Sequence, residues 1–312
     1  MFLLLFSCLQ KEIWMKKADM PTARLGLTTA VVDNRIYAIG GYARANAEGL
    51  STTEEFNPRK NEWITRAPMP TNRRWMASSV VDEKIYVFGG YKNFGQPGLT
   101  AVEAYDPEKD IWEIKKDMPI ARLGPATCAV DGIIYLFGGG SVVPHTINTV
   151  EAYDPETDTW ERKKDMPTAR YMAAACEING KIYVIGGSIG GGNASNKVEE
   201  FDPTMDAWKE KAPMPTARFG FQAVVLNGEI YAIGGGSGRD PVSAIENYDP
   251  DKDLWTRLPD LPDPRVGPGV SAVKGRIYII GGAVSGISNG HPGVKTVEEF
   301  IPGNIILHTQ KQ

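Results

Sequence analysis

Cysteine and histidine are scarce in this chain of 312 residues. Three cysteines, Cys8, Cys128 and Cys176, cannot build a disulfide framework. Three scattered histidines, His145, His291 and His308, leave no basis for a multi-histidine metal site, so no metal and no cofactor are expected. An excess of positive charge is also missing. Lys and Arg number 34 against 38 Asp and Glu, a formal net charge of −4, which excludes a nucleic-acid binder held by gross charge. The apolar run at the N-terminus, Met1–Leu9, is too short to span a bilayer. No segment keeps a helical period, and no Ser-His-acid set has a recognisable spacing. What remains is an ordinary folded composition, 42% hydrophobic and 23% charged. A chain this long buries roughly 75% of its unfolded surface and needs no covalent staples.

Its glycines and tryptophans keep a beat. Double glycines begin at Gly40, Gly89, Gly138, Gly186, Gly234 and Gly281, spaced 49, 49, 48, 48 and 47 residues apart. Trp14, Trp63, Trp112, Trp160, Trp208 and Trp255 each stand 26 residues before one of them. Each unit reads as four strands. Strand a follows Met-Pro-x-x-Arg (Leu261-Pro262 in the last unit) and is short-chained and β-branched, as in Arg24–Val32. Strand b is an unbroken apolar run such as Ile36-Tyr37-Ala38-Ile39, which implies cover on both faces. Strand c carries Val-Glu-x-Tyr/Phe, as in Val150–Tyr153, and a turn such as Asp154-Pro155-Glu156-Thr157-Asp158 leads to strand d with its tryptophan.

Six blocks of double glycine, Tyr/Phe-x-Pro and spaced Trp resemble the kelch repeat over residues 11–302. The resemblance implies an all-β fold, a six-bladed β-propeller of four-stranded antiparallel blades. Counting from Arg24 leaves the sixth blade without a strand d, and Glu12-Ile13-Trp14-Met15 supplies one, because Trp14 is the missing tryptophan. Asn304-Ile305-Ile306-Leu307 is the competing candidate, so residues 303–312 are expected to be a tail. Residues 1–10 form a separate apolar leader like the end of a secretory signal. Leu5-Phe6-Ser7-Cys8 also resembles a lipoprotein cleavage site, which would make Cys8 a lipid anchor. Export to the periplasm, cell surface or medium is the expectation, with a misassigned start and a cytoplasmic protein as the alternative.

Ten residues after each repeat tryptophan stands an arginine: Arg24, Arg73, Arg122, Arg170, Arg218 and Arg265. In a propeller the d–a loops open on one face, so these guanidiniums are expected to ring one mouth of the channel and to bind carboxylates or phosphates. In kelch domains of the ubiquitin-ligase adaptor type, arginines of a similar Arg-x-Gly motif contact acidic peptides; Arg24, Arg122, Arg218 and Arg265 carry that motif here. A structural role competes with this one. A glutamate opens strand c in every unit (Glu54, Glu103, Glu151, Glu199, Glu246 and Glu298), and pairing with it would make the arginines a structural device that holds neighbouring blades in register.

Departures from the repeat are sharper functional signals. Two residues after the arginine, four units have glycine while the others have Trp75 and Met172, which alternation turns toward the channel. Trp75 there is either a platform for a ligand or a plug. The b–c loops vary most and should crown the same face, with Tyr42, Arg44, Tyr91, Lys92, Phe94, His145, Arg239 and His291 as candidates. Cys128 and Cys176 read as small buried residues of strand a. The expectation is a monomeric, non-catalytic scaffold that recognises a protein segment or glycan, possibly acidic, at the d–a and b–c face, with no membrane span. The alternative is an exported sugar-modifying enzyme resembling a sialic-acid mutarotase, in which a carboxylate or histidine moves a proton beside an arginine-bound acid sugar.

Overall fold

A computed structural model describes residues 12–44, 47–140, 146–238, 240–285 and 292–303. They form six four-stranded antiparallel sheets arranged as a propeller, with the inner strand of each blade packed beside those of its two neighbours. Blade 1 comprises Thr28–Val32, Arg35–Ile39, Thr53–Asn57 and Glu62–Arg66, in the order a-b-c-d from the axis outward. The inner strands of blades 2 to 6 are Ala77–Val81, Ala126–Val130, Ala174–Ile178, Gln222–Leu226 and Gly269–Val273. A short ribbon, Gly236–Ser237 with Asp240–Pro241, extends the b–c loop of blade 5.

Burial follows the sequence pattern. Strand b is buried along nearly its whole length in each blade, because the neighbouring blades cover both of its faces. Strand d is largely exposed at the outer edge. The a–b hairpins turn in two residues with positive φ at both, as at Asp33 (φ 45) and Asn34 (φ 57), the type I′ geometry that matches strand twist.

Three devices join each blade to the one before it. The repeat tryptophan packs on the strand-c aromatic of its own blade and, in blades 1 to 5, donates its indole N–H backward. Trp112 lies 5.0 Å from Tyr105 between centroids and gives its Nε1 hydrogen to Ala67 O at 2.9 Å. One residue at the entry to strand d holds the same seam: Asp110 accepts from the Ala67 N–H at 2.8 Å and from the Tyr105 hydroxyl at 2.5 Å. The third device is the double glycine. The second glycine of each pair donates its N–H to the carbonyl of the next blade's arginine, as Gly139 does to Arg170 at 2.9 Å. A side chain cannot replace the first one, because a Cβ on Gly138, at φ +57, would stand 2.2 Å from Arg170 O.

The ring closes through the N-terminal strand. Ile13–Lys16 pairs antiparallel with Val297–Ile301 in the register Ile13↔Ile301 to Lys16↔Glu298, and Trp14 stacks on Phe300 at 4.6 Å. The seam between blades 6 and 1 repeats the pattern of the others: Trp63 bonds Ala18 O at 2.9 Å, and Gly282 N bonds Arg24 O at 2.9 Å. The leader with Cys8, and the competing segment 304–307, lie outside the described residues. Among the described residues no helix is long and apolar enough to cross a membrane.

Candidate functional site: the blade 1–2 mouth

The six repeat arginines are 0–1% exposed, which corrects the expectation that they line the mouth for a ligand. Each turns back into its own blade and meets the glutamate of strand c. The pairs are Arg24–Glu54 at 2.7 Å, Arg73–Glu103, Arg122–Glu151 at 2.9 Å, Arg170–Glu199 at 2.7 Å, Arg218–Glu246 at 2.8 Å and Arg265–Glu298 at 3.0 Å. Backbone carbonyls take further N–H groups; Arg24, for example, donates to Thr52 O and Ala38 O at 3.1 and 3.0 Å. In blades 1, 2, 4 and 5 the glutamate's second oxygen accepts from the threonine of the Met-Pro-Thr motif, Thr22 Oγ1 donating to Glu54 at 2.7 Å. The methionine of that motif lies against the guanidinium, Met20 Sδ being 3.4 Å from Arg24 Nε. Burial pulls Arg24 and Arg218 down to about 10 and the glutamate charge opposes it, so both stay charged at neutral pH. Met-Pro-Thr-x-Arg is therefore a structural unit that ties strand a to strand c within a blade, not across blades as a register device.

The position two residues on forms a second ring. Gly26, Trp75, Gly124, Met172, Gly220 and Gly267 all have φ between 52 and 61. Each N–H donates to the carbonyl of the equivalent residue in the preceding blade: Trp75 to Gly26 at 2.8 Å, Gly124 to Trp75 at 2.8 Å, and so on to Gly26 onto Gly267 at 2.9 Å. Six hydrogen bonds thus encircle the axis. Left-handed backbone suits glycine, and holding Trp and Met there costs of order 1 kcal/mol each, a departure the scaffold itself does not require. Trp75 is 8% exposed and lies across the axis, where a Cβ on Gly26 or Gly267 would come within 3.0 or 2.9 Å of its ring. Met172 fills the remaining sector against Gly124. Of the two roles open to Trp75, the geometry is that of a plug. It closes one end of a channel of about 290 Å³ lined by small strand-a residues including Thr28, Ser78, Thr127, Cys176 and Ser271. The Cys176 thiol is pushed up to about 12 by burial, and burial raises Cys128 as well; neither is a poised nucleophile.

Between the two rings sits a residue that the repeat arithmetic passes over. The position after the repeat arginine is Leu25, Leu123, Tyr171, Phe219 and Val266 in five blades, but Arg74 in blade 2. Arg74 is 2% exposed. Tyr42 and Tyr91, the first residues after their double glycines, flank it with ring centroids 4.3 and 4.7 Å from Cζ. Both tyrosines were expected in a variable, ligand-facing loop. They are instead 3% and 9% exposed and bridged by backbone to Leu25 and Arg74, at the strand ends. Burial drives the Tyr42 hydroxyl up to about 12, aided by Tyr91 and opposed by the Arg74 charge; Tyr91 shifts the same way from burial. Tyr42 also meets Trp75 at 6.4 Å, so Arg74, Trp75, Tyr42 and Tyr91 form one cluster at the seam of blades 1 and 2. Arg44, Lys92 and Phe94 stand exposed nearby, Phe94 at 76%. His145, His291 and Arg239 lie outside the described residues. Asking which blades depart from the repeat at every position of the d–a loop, rather than at one, would have found Arg74.

Among the described residues no group of three or more His, Cys, Asp or Glu could hold a metal ion. The blade count, the axial ring and the Arg–Glu unit together describe a repeat propeller. Residues 108–282 match the KLHDC2/KLHL20/DRC7 Kelch-repeats domain, and residues 23–70 and 75–119 match the Kelch motif. The chain belongs to the kelch-repeat family. Among curated proteins nothing matches it. The solved structure of YjhT is similar over 90% of this chain and 96% of that one, with a TM-score of 0.76 and 19% sequence identity, a likeness of fold.

Proposed function

We propose that this chain is a binding module that presents the d–a and b–c face to a protein segment, with blade 2 as the recognition blade. One observation carries the reading: blade 2 alone breaks the repeat at two successive positions, Arg74-Trp75, and both side chains converge with Tyr42 and Tyr91 at the mouth. A symmetric scaffold has no use for such a break, whereas a ligand that lacks six-fold symmetry does. Kelch membership supports a recognition role in general. A proton-transfer enzyme is less well supported, because Glu54, Glu103, Glu151, Glu199 and Glu246 are buried and taken up by arginine, leaving none of these carboxylates at this face to act as acid or base.

Trp75→Gly tests the reading. Glycine is what four other blades use at this φ, so the variant should fold. In a screen of peptides and oligosaccharides by calorimetry, hits on the wild type should lose about tenfold or more in affinity in Trp75→Gly, because loss of the plug removes the packing that holds Tyr42 beside Arg74. Unchanged affinities would place the site elsewhere.

A further inference from the structure

Among the described residues Arg74, unlike every repeat arginine, has no acidic partner. Its Nε and Nη2 are both buried and make no hydrogen bond among the described residues. These two nitrogens form one edge of the guanidinium, the side-on fork that can donate to both oxygens of a carboxylate. Its Cζ lies over the rings of Tyr42 and Tyr91, which offer π density but no charged acceptor to that edge. A buried cation without a counter-charge is unfavourable, and tyrosine faces compensate only in part. Nor does the fold need a cation here, since the equivalent residues elsewhere are Leu25, Leu123, Tyr171, Phe219 and Val266.

The geometry points to Arg74 as the anchor for a carboxylate side chain, Asp or Glu, of an extended protein segment; this rests on the proposed recognition face. Tyr91 is the more exposed of the two rings, 9% against 3% for Tyr42. A peptide fits better than a sugar acid. Stacking a sugar needs an open aromatic face, and Tyr42, Trp75 and Tyr91 are each at most 9% exposed, which leaves the fork as a point contact. Such a contact suits one acidic residue of a segment whose remaining contacts fall on the b–c loops.

The test uses the full chain, an array of Glu-containing peptides with their Gln counterparts, and glucuronate as competitor. Wild type should prefer Glu to Gln peptides by about tenfold or more, because a desolvated bidentate pair is lost with the charge. Arg74→Met, which keeps the packing between the tyrosines, should erase that preference. Arg74→Lys should keep only part of it. Arg74→Met should also retain or raise the thermal midpoint, since an uncompensated buried charge is replaced by an apolar stem. Equal binding of Glu and Gln peptides, or a preference that survives Arg74→Met, overturns the assignment. Glucuronate competing as strongly as the Glu peptides also overturns it, by making the ligand a sugar acid. If Trp75→Gly still weakens both peptide sets while Glu and Gln bind alike, the face stands and only the role of Arg74 falls. No peptide binding at all removes both.

Discussion

Arg122→Met should destabilise the protein by about 3–5 kcal/mol, read as a lower urea midpoint at unchanged slope. The guanidinium is 0% exposed and satisfies Thr149 O, Gly138 O and Glu151; without it, the Glu151 carboxylate stays buried and uncompensated. Replacing both partners, Arg122→Met with Glu151→Leu, should recover most of the loss, because the penalty belongs to the orphaned charge and not to the missing attraction. Arg74→Met should show the opposite behaviour, retaining stability. Two arginines of nearly equal burial thereby sort into scaffold and site by a single property, the presence or absence of an acid on the fork. A ligand-binding role for the six-fold ring predicts instead that Arg122→Met folds with little cost and loses binding.

Removal of residues 1–17 should lower the thermal midpoint far more than removal of residues 304–312. The first truncation strips Ile13–Lys16 from the edge of blade 6, which leaves the outer edge of Val297–Ile301 unpaired and exposes Phe300 where Trp14 covers it. It also removes the outer strand of the closing blade, so blades 6 and 1 are held by inner contacts such as Gly282 N–Arg24 O and Gly26 N–Gly267 O alone. Differential scanning calorimetry of the two truncations decides the matter. A larger effect from the C-terminal deletion would mean that 304–307 supplies the closing strand.

The fold was legible because its signals recur. A single double glycine is weak evidence. Six of them in phase with six tryptophans leave little choice of architecture, and the structure adds the reason: the glycines admit the next blade's arginine backbone, and the indoles reach back across the seam. The same regularity hid the site. Arg24 and its equivalents attracted attention as a charged ring, yet spacing along the chain does not tell whether Glu54 lies within 2.7 Å of Arg24 or beyond reach. Trp75 was recognisable as a departure, and its direction toward the axis followed from alternation. That it plugs the channel depends on the flat space left by Gly26, Gly220 and Gly267, a property of three other blades. Arg74 was passed over because it adjoins the repeat arginine and reads as part of it; its isolation from acids is visible only in three dimensions.

Hydrogen-exchange mass spectrometry of the chain with a bound Glu-containing peptide tests most directly that recognition belongs to the mouth of blades 1 and 2. New protection is expected in residues 42–44, 47–50 and 91–98 of the b–c loops that begin with Tyr42 and Tyr91 beside Arg74, and it should be lost in Arg74→Met. Protection confined to the opposite turns, such as Asp33-Asn34 and Asp106-Pro107, would contradict it.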